Sequence, residues 1–176
     1  MSLRRALVVL LALSLFACAG TLITISVDQE TTTTIERGTL LEALVGDMGF
    51  SDFIDMDITS AQEIQGRGVE PGDINEARLT AFELEVTDPV DGDLSFLNSL
   101  ELFVESPGLD RVRVAHQEEF PEDEALVTFT IDDVVLTDYV VSESLTLTTE
   151  VNGHRPDADY QVAARFSVDV AVTGQG

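Results

Sequence analysis

The final stretch of apolar residues constrains the fold of this chain more than any other feature. From Tyr160 to Val172 every second position is apolar: Tyr160, Val162, Ala164, Phe166, Val168, Val170 and Val172. Gln161, Arg165, Ser167 and Asp169 fall between them. Successive side chains of a strand point to opposite faces, so one face of this segment is apolar along its whole length and needs a second layer to cover it. Seven inward positions also need neighbours on both sides. The segment is expected to be a central strand that runs the full height of its domain.

The same period of two recurs upstream. Leu22 to Val27 alternates, and Thr31-Thr32-Thr33-Thr34-Ile35 is a β-branched run that favours extended structure. Leu79 to Val86 sets Phe82, Leu84 and Val86 against Glu83 and Glu85, the pattern of a half-buried strand. Met56 and Ile58 open a segment that turns polar through Gln65 and reads as an edge strand. Leu100 to Glu105, Arg111 to Val114, Val127 to Ile131 and Leu145 to Leu147 supply further strands, and Leu94 to Asn98 a short helical turn. Pro71-Gly72-Asp73, Asp88 to Asp93, Pro107-Gly108 and Asn152-Gly153 punctuate them with turn chemistry.

One helix interrupts this series. Thr39 and Glu42 fit a capping box, Leu40, Leu41, Leu44, Val45 and Met48 share a face, and Gly49 supplies a stop. Its expected place, near residues 39–48, is over one open end of a β-sandwich. With eight or nine strands, one helix and no βαβ alternation, the pattern predicts an all-β fold, an antiparallel, Ig-like sandwich of Greek-key type. It spans residues 22–176 as a single domain.

The first residues concern destination. Arg4 and Arg5 precede a twelve-residue stretch, Ala6 to Ala17, apolar but for Ser14, which is the pattern of an export signal and too short to cross a bilayer of about 30 Å. The only cysteine of the chain follows at once. Leu15-Phe16-Ala17-Cys18 resembles the lipobox of bacterial lipoproteins. That resemblance implies removal of residues 1–17, acylation of Cys18 with palmitate-type chains, and a short tether over residues 18–21. With Ala19 rather than aspartate after the cysteine, it also implies an outer-membrane anchor facing the periplasm or the surface. The plain alternative is an ordinary signal peptide cut at Ala19 or Gly20.

Charge narrows the function. Without the leader, seven arginines stand against 33 acids, a formal charge of −26, and lysine is absent. Such a surface repels nucleic acid and anionic headgroups, whose recognition needs clustered cations. Without lysine there is no Schiff-base chemistry, and no nucleophile elbow, phosphate loop or zinc spacing appears. His116 and His154 fall in expected loops. Sugar-binding clefts usually stack their ligand on aromatic rings, and here tryptophan is absent. No enzyme is expected.

A hard cation is the remaining chemical ligand. Asp88, Asp91 and Asp93 crowd one turn, and the loops Glu118 to Glu124 and Asp157 to Asp159 add carboxylates if they meet it at one end of the sandwich. Calcium takes six to eight oxygens. The EF-hand spacing is absent, and the alternative is a solvated hairpin turn at Asp91-Gly92.

Leu94 to Glu101, Pro107-Gly108 and Leu145 to Val172 look like the corresponding parts of a group of uncharacterised secreted β-sandwich lipoproteins. This likeness implies a fold and a location, and carries no activity. The expected function is a non-enzymatic interaction or structural module of the cell envelope, anchored to the membrane and meeting an envelope protein partner. The alternative is a module that binds calcium at the acidic loops or an apolar ligand under the 39–48 helix.

Overall fold

The computed structural model describes residues 22–38, 64, 66–142 and 144–173. The leader, Cys18 and the helix expected at 39–48 lie outside the described residues, and of the edge strand expected from Met56 through Gln65 only Ile64 is described, which is helical and buried rather than strand.

Among the described residues eight strands form two four-stranded antiparallel sheets. The first contains β1 (Leu22–Ile35), β2 (Ile74–Asp88), β5 (Leu126–Thr128) and β8 (Tyr160–Thr173), in the order β1-β8-β2-β5. The second contains β3 (Leu97–Ser106), β4 (Leu109–Gln117), β6 (Thr130–Ile131) and β7 (Thr146–Gly153), in the order β6-β4-β3-β7. Read from the other side, β7-β3-β4-β6 is the spatial order of a Greek key, with the fourth strand returning beside the first. The fold is the all-β sandwich that the alternation predicts.

The strand β8 is central, paired along its length with β1 on one side and β2 on the other. Of its seven inward positions only Tyr160 is not fully buried. Leu22–Val27 and the threonine run belong to one 14-residue strand, β1, which matches β8 residue for residue with no shift. In β2 a register shift between Leu79 and Ala81 lets both Leu79 and Phe82 face inward, although their spacing breaks strict alternation.

The stretch Val127 to Ile131 departs from its expected role as one strand. It changes sheets: β5 pairs with β2, β6 pairs with β4, and Phe129 turns between them. The Phe129 amide donates to the Phe82 carbonyl at 3.0 Å, and its ring lies edge-on to Phe82 at 4.6 Å between centroids. A buried aromatic at the crossing point offsets the loss of continuous pairing.

Two short elements correct the expectation further. Leu94 to Phe96 form a turn, closed by the Leu97 amide on the Leu94 carbonyl, and β3 starts at Leu97, so that Leu97 and Asn98 are strand. A four-residue helix, α1 (Thr137–Val140), appears where no helical period is visible, with Leu136, Tyr139 and Val140 buried. It is held by the fold: Leu136 donates to the Ala77 carbonyl, Ala77 donates to Thr137 Oγ1, and the Tyr139 hydroxyl donates to the Asp110 carbonyl. Pro107 and Gly108 close the β3-β4 hairpin, Gly108 at φ +83°, the left-handed conformation that a proline-glycine turn needs at its second central position.

Candidate functional site

Antiparallel register decides which loops share an end. Asp88 of β2 lies opposite Gln161 of β8, Ile35 of β1 opposite Tyr160, and Leu100 of β3 opposite Gln117 of β4. The turn 88–93, the loop 118–124 and the segment 157–159 therefore all sit at one end of the sandwich. Two of the three acidic stretches, 88–93 and 118–124, touch through Asp93 and Asp123.

Their contacts are specific. Asp93 accepts the Ser95 amide on Oδ1 at 2.9 Å and the Asp123 amide on Oδ2 at 3.0 Å. The hydrogen bond from the Ser95 side chain, then the Asp123 amide, hold the Asp93 carboxyl below the ordinary range, against the opposing effect of burial. Asp159 accepts the Arg37 amide at 2.7 Å, and Asp157 accepts the Tyr160 hydroxyl at 3.1 Å. Burial, then the Asp157 hydrogen bond, pushes the Tyr160 phenol upward. The Tyr160 ring stacks at a tilt on Phe96, 5.1 Å between centroids, beneath this end.

Asp93 is thus a clasp between two loops, with each oxygen already accepting a backbone amide. Asp88 ends β2 as an exposed residue, and Asp91 is exposed in the turn beyond it. Among the described residues no group of three or more histidine, cysteine, aspartate or glutamate side chains is arranged to hold a metal ion.

The outer sheet faces carry ionic ladders. Arg165 of β8 reaches Glu30 of β1 at 2.6 Å and Glu85 of β2 at 2.5 Å, with Glu83 directly opposite in register. Across the other sheet Arg113 of β4 pairs with Glu101 and, at 2.7 Å, with Asp132. The Arg113 hydrogen bond is the main cause that holds the Asp132 carboxyl below its ordinary range. Alternation places each arginine on an outward face, but which acids meet it depends on strand order.

His116 lies within β4 rather than in a loop, its Nδ1 3.4 Å from Asp132 Oδ1 and without a hydrogen-bond partner. His154 follows β7 and is exposed.

An apolar cavity of about 40 Å³ lies between the sheets, lined by Leu79, Phe82, Leu136, Val140, Phe166 and other aliphatic side chains. Small-molecule sites typically enclose some 300–1,000 Å³. The void is a packing gap rather than a ligand chamber. None of the described helices is long and apolar enough to cross a membrane.

No family model and no curated protein matches this chain.

Proposed function

We propose that this protein is a lipoprotein of the cell envelope, anchored through an acylated Cys18 and working as a non-enzymatic interaction or structural module. The observation that supports this reading is how soon after Cys18 the first strand begins. Leu22, the first residue of β1, is four residues beyond Cys18 and lies at the end remote from the acidic loops. Exposed Leu22 and Ile23 stand at that near end, and Val141 joins them through the Ser142 hydrogen bond to Ser106. An anchor at Cys18 would hold the domain by the end where β1 begins, with the turn 88–93 and the loop 118–124 at the other. Two or three acyl chains at about 0.8 kcal/mol per buried methylene make such an anchor nearly permanent.

Metabolic labelling with palmitate, with mass spectrometry of the amino-terminal peptide, tests the anchor. Label on the native chain and none on Cys18→Ser is the expected result. An unmodified peptide that starts after Cys18 would end the proposal.

A second reading, a calcium-binding module, draws support from the contact of two acidic stretches through Asp93 and Asp123. A site there would raise the melting temperature in millimolar calcium above that in sodium chloride of equal ionic strength.

A further inference from the structure

We propose that β1 is a self-association edge: two copies of this chain pair antiparallel through β1 about a two-fold axis at Val27, which joins two four-stranded sheets into one of eight strands. The inference is independent of lipidation.

The two margins of the first sheet differ. Beyond β2, backbone groups are satisfied in turn by Ala125, by Phe129 and by Leu136, whose amides or carbonyls bond to Val86, Phe82 and Ala77. Beyond β1 no such cover exists among the described residues, where β1 pairs with β8 alone. Unprotected edges attract other strands, and proteins usually blunt them with lysine, proline, a bulge or brevity. β1 is 14 residues long, contains no lysine or proline, and runs without a register shift. Its remaining protection is Asp28 and Glu30.

Those two acids select a partner. β1 and β8 carry the same tripeptide, Ser26-Val27-Asp28 and Ser167-Val168-Asp169, and they pair with Val27 opposite Val168. Ser26 Oγ donates to Asp169 Oδ1 at 2.6 Å, and Ser167 Oγ donates to Asp28 Oδ1. A tripeptide that pairs with its own sequence is self-complementary, so β1 can repeat this arrangement with a second β1. With Val27 facing Val27, each Ser26 lies opposite an Asp28 and each Thr24 opposite a Glu30. Every carboxylate on the outer face then meets a hydroxyl. A slip by two residues toward the carboxyl end sets Asp28 against Asp28, and a slip by four sets Asp28 against Glu30, both opposed by like-charge repulsion, whereas slips the other way lose the Ser26–Asp28 pairs. A slip by one turns inward side chains outward.

Isologous pairing of one patch with itself is the usual geometry of a two-fold dimer. Here Leu22 faces Thr32 of the second copy, which puts the two Leu22 residues about 33 Å apart along the strand pair.

Thr24 gives a clean test, since within its own fold it faces neutral Ala171 and is exposed, whereas in the pair it faces Glu30. The full chain, in a mild non-ionic detergent with enough salt to screen its charge, is followed by sedimentation over a range of concentrations. The native chain should form dimers. Thr24→Glu should weaken dimerisation at least about threefold and Thr24→Arg should strengthen it. A chain that stays monomeric at every concentration would overturn the proposal. So would a dimer that both variants shift in the same direction or leave unmoved, because its contact would then lie elsewhere.

Discussion

The backbone amide of Asp123 donates to Oδ2 of Asp93 at 3.0 Å, clasping the acidic loop to a turn thirty residues earlier in the chain. Asparagine at position 93 keeps one acceptor oxygen and loses the charge. Asp93→Asn should cost about 1 kcal/mol at neutral pH, the scale of one hydrogen bond to a charged acceptor in a half-exposed setting. The native carboxyl titrates below its unfolded value, so its stabilising effect is complete above the ordinary carboxylate range and lost as pH falls through the native value. Urea titrations of both proteins at neutral pH and at successively lower pH should show the gap between them close on acidification. A gap that widens in acid would contradict the clasp.

Val168 is 3% exposed at the centre of β8, between Val27 on β1 and Leu79 on β2. Val168→Asp places a carboxylate without a partner in the core and should cost several kcal/mol, read as a fall in the denaturation midpoint. A loss under about 1 kcal/mol would mean that the inner face of β8 is not the core.

Arg165 is the cation that three strands share on the outer face of the first sheet, bound to Glu30 and Glu85 with Glu83 opposite. Arg165→Gln leaves those acids facing one another. The melting temperature should fall, and fall more at low than at high salt, because exposed charges are screened within about a Debye length. Equal losses at both ionic strengths would assign the effect to packing of the arginine stem instead.

Net charge acts on the whole domain. Seven arginines cannot partner 33 acids, so the folded state repels itself more than the expanded chain does. Sodium chloride raised from 0.01 to 0.1 M shortens the Debye length from about 30 to about 10 Å and should raise the melting temperature. Calcium should add more than sodium of equal ionic strength only if Asp88, Asp91 and Asp93 gather around a bound ion. A melting temperature that responds to neither ion would remove both the repulsion argument and the cation site.

The candidate site was only half legible in the sequence. Acidic loops announce themselves by composition, and register alone could show that 88–93, 118–124 and 157–159 share an end. That Asp93 accepts two amides was not foreseen, because an acceptor's partner across thirty residues leaves no local mark. An aspartate two residues before a serine is a weak hint of the nearer bond. The arginine ladders follow the same rule: outward placement is periodic, but the acids that Arg113 and Arg165 meet come from other strands.

The sequence by itself determined the layer architecture, because a period of two at Tyr160–Val172 and Phe82–Val86 can bury its apolar face only against a second sheet. It also determined that β8 is central, since six buried side chains on one face of a strand require neighbours on both sides. Only the tertiary structure decided where Val127–Ile131 breaks between sheets, that Leu136–Val140 coils into α1, and that Leu79 and Phe82 face the same way. Each of these depends on backbone partners distant in sequence: Phe82 for Phe129, Ala77 for Leu136 and Thr137, and the β8 ladder for the bulge in β2. Local alternation records which face a side chain takes, whereas partner identity is a property of strand order, which forms only when the whole chain has collapsed.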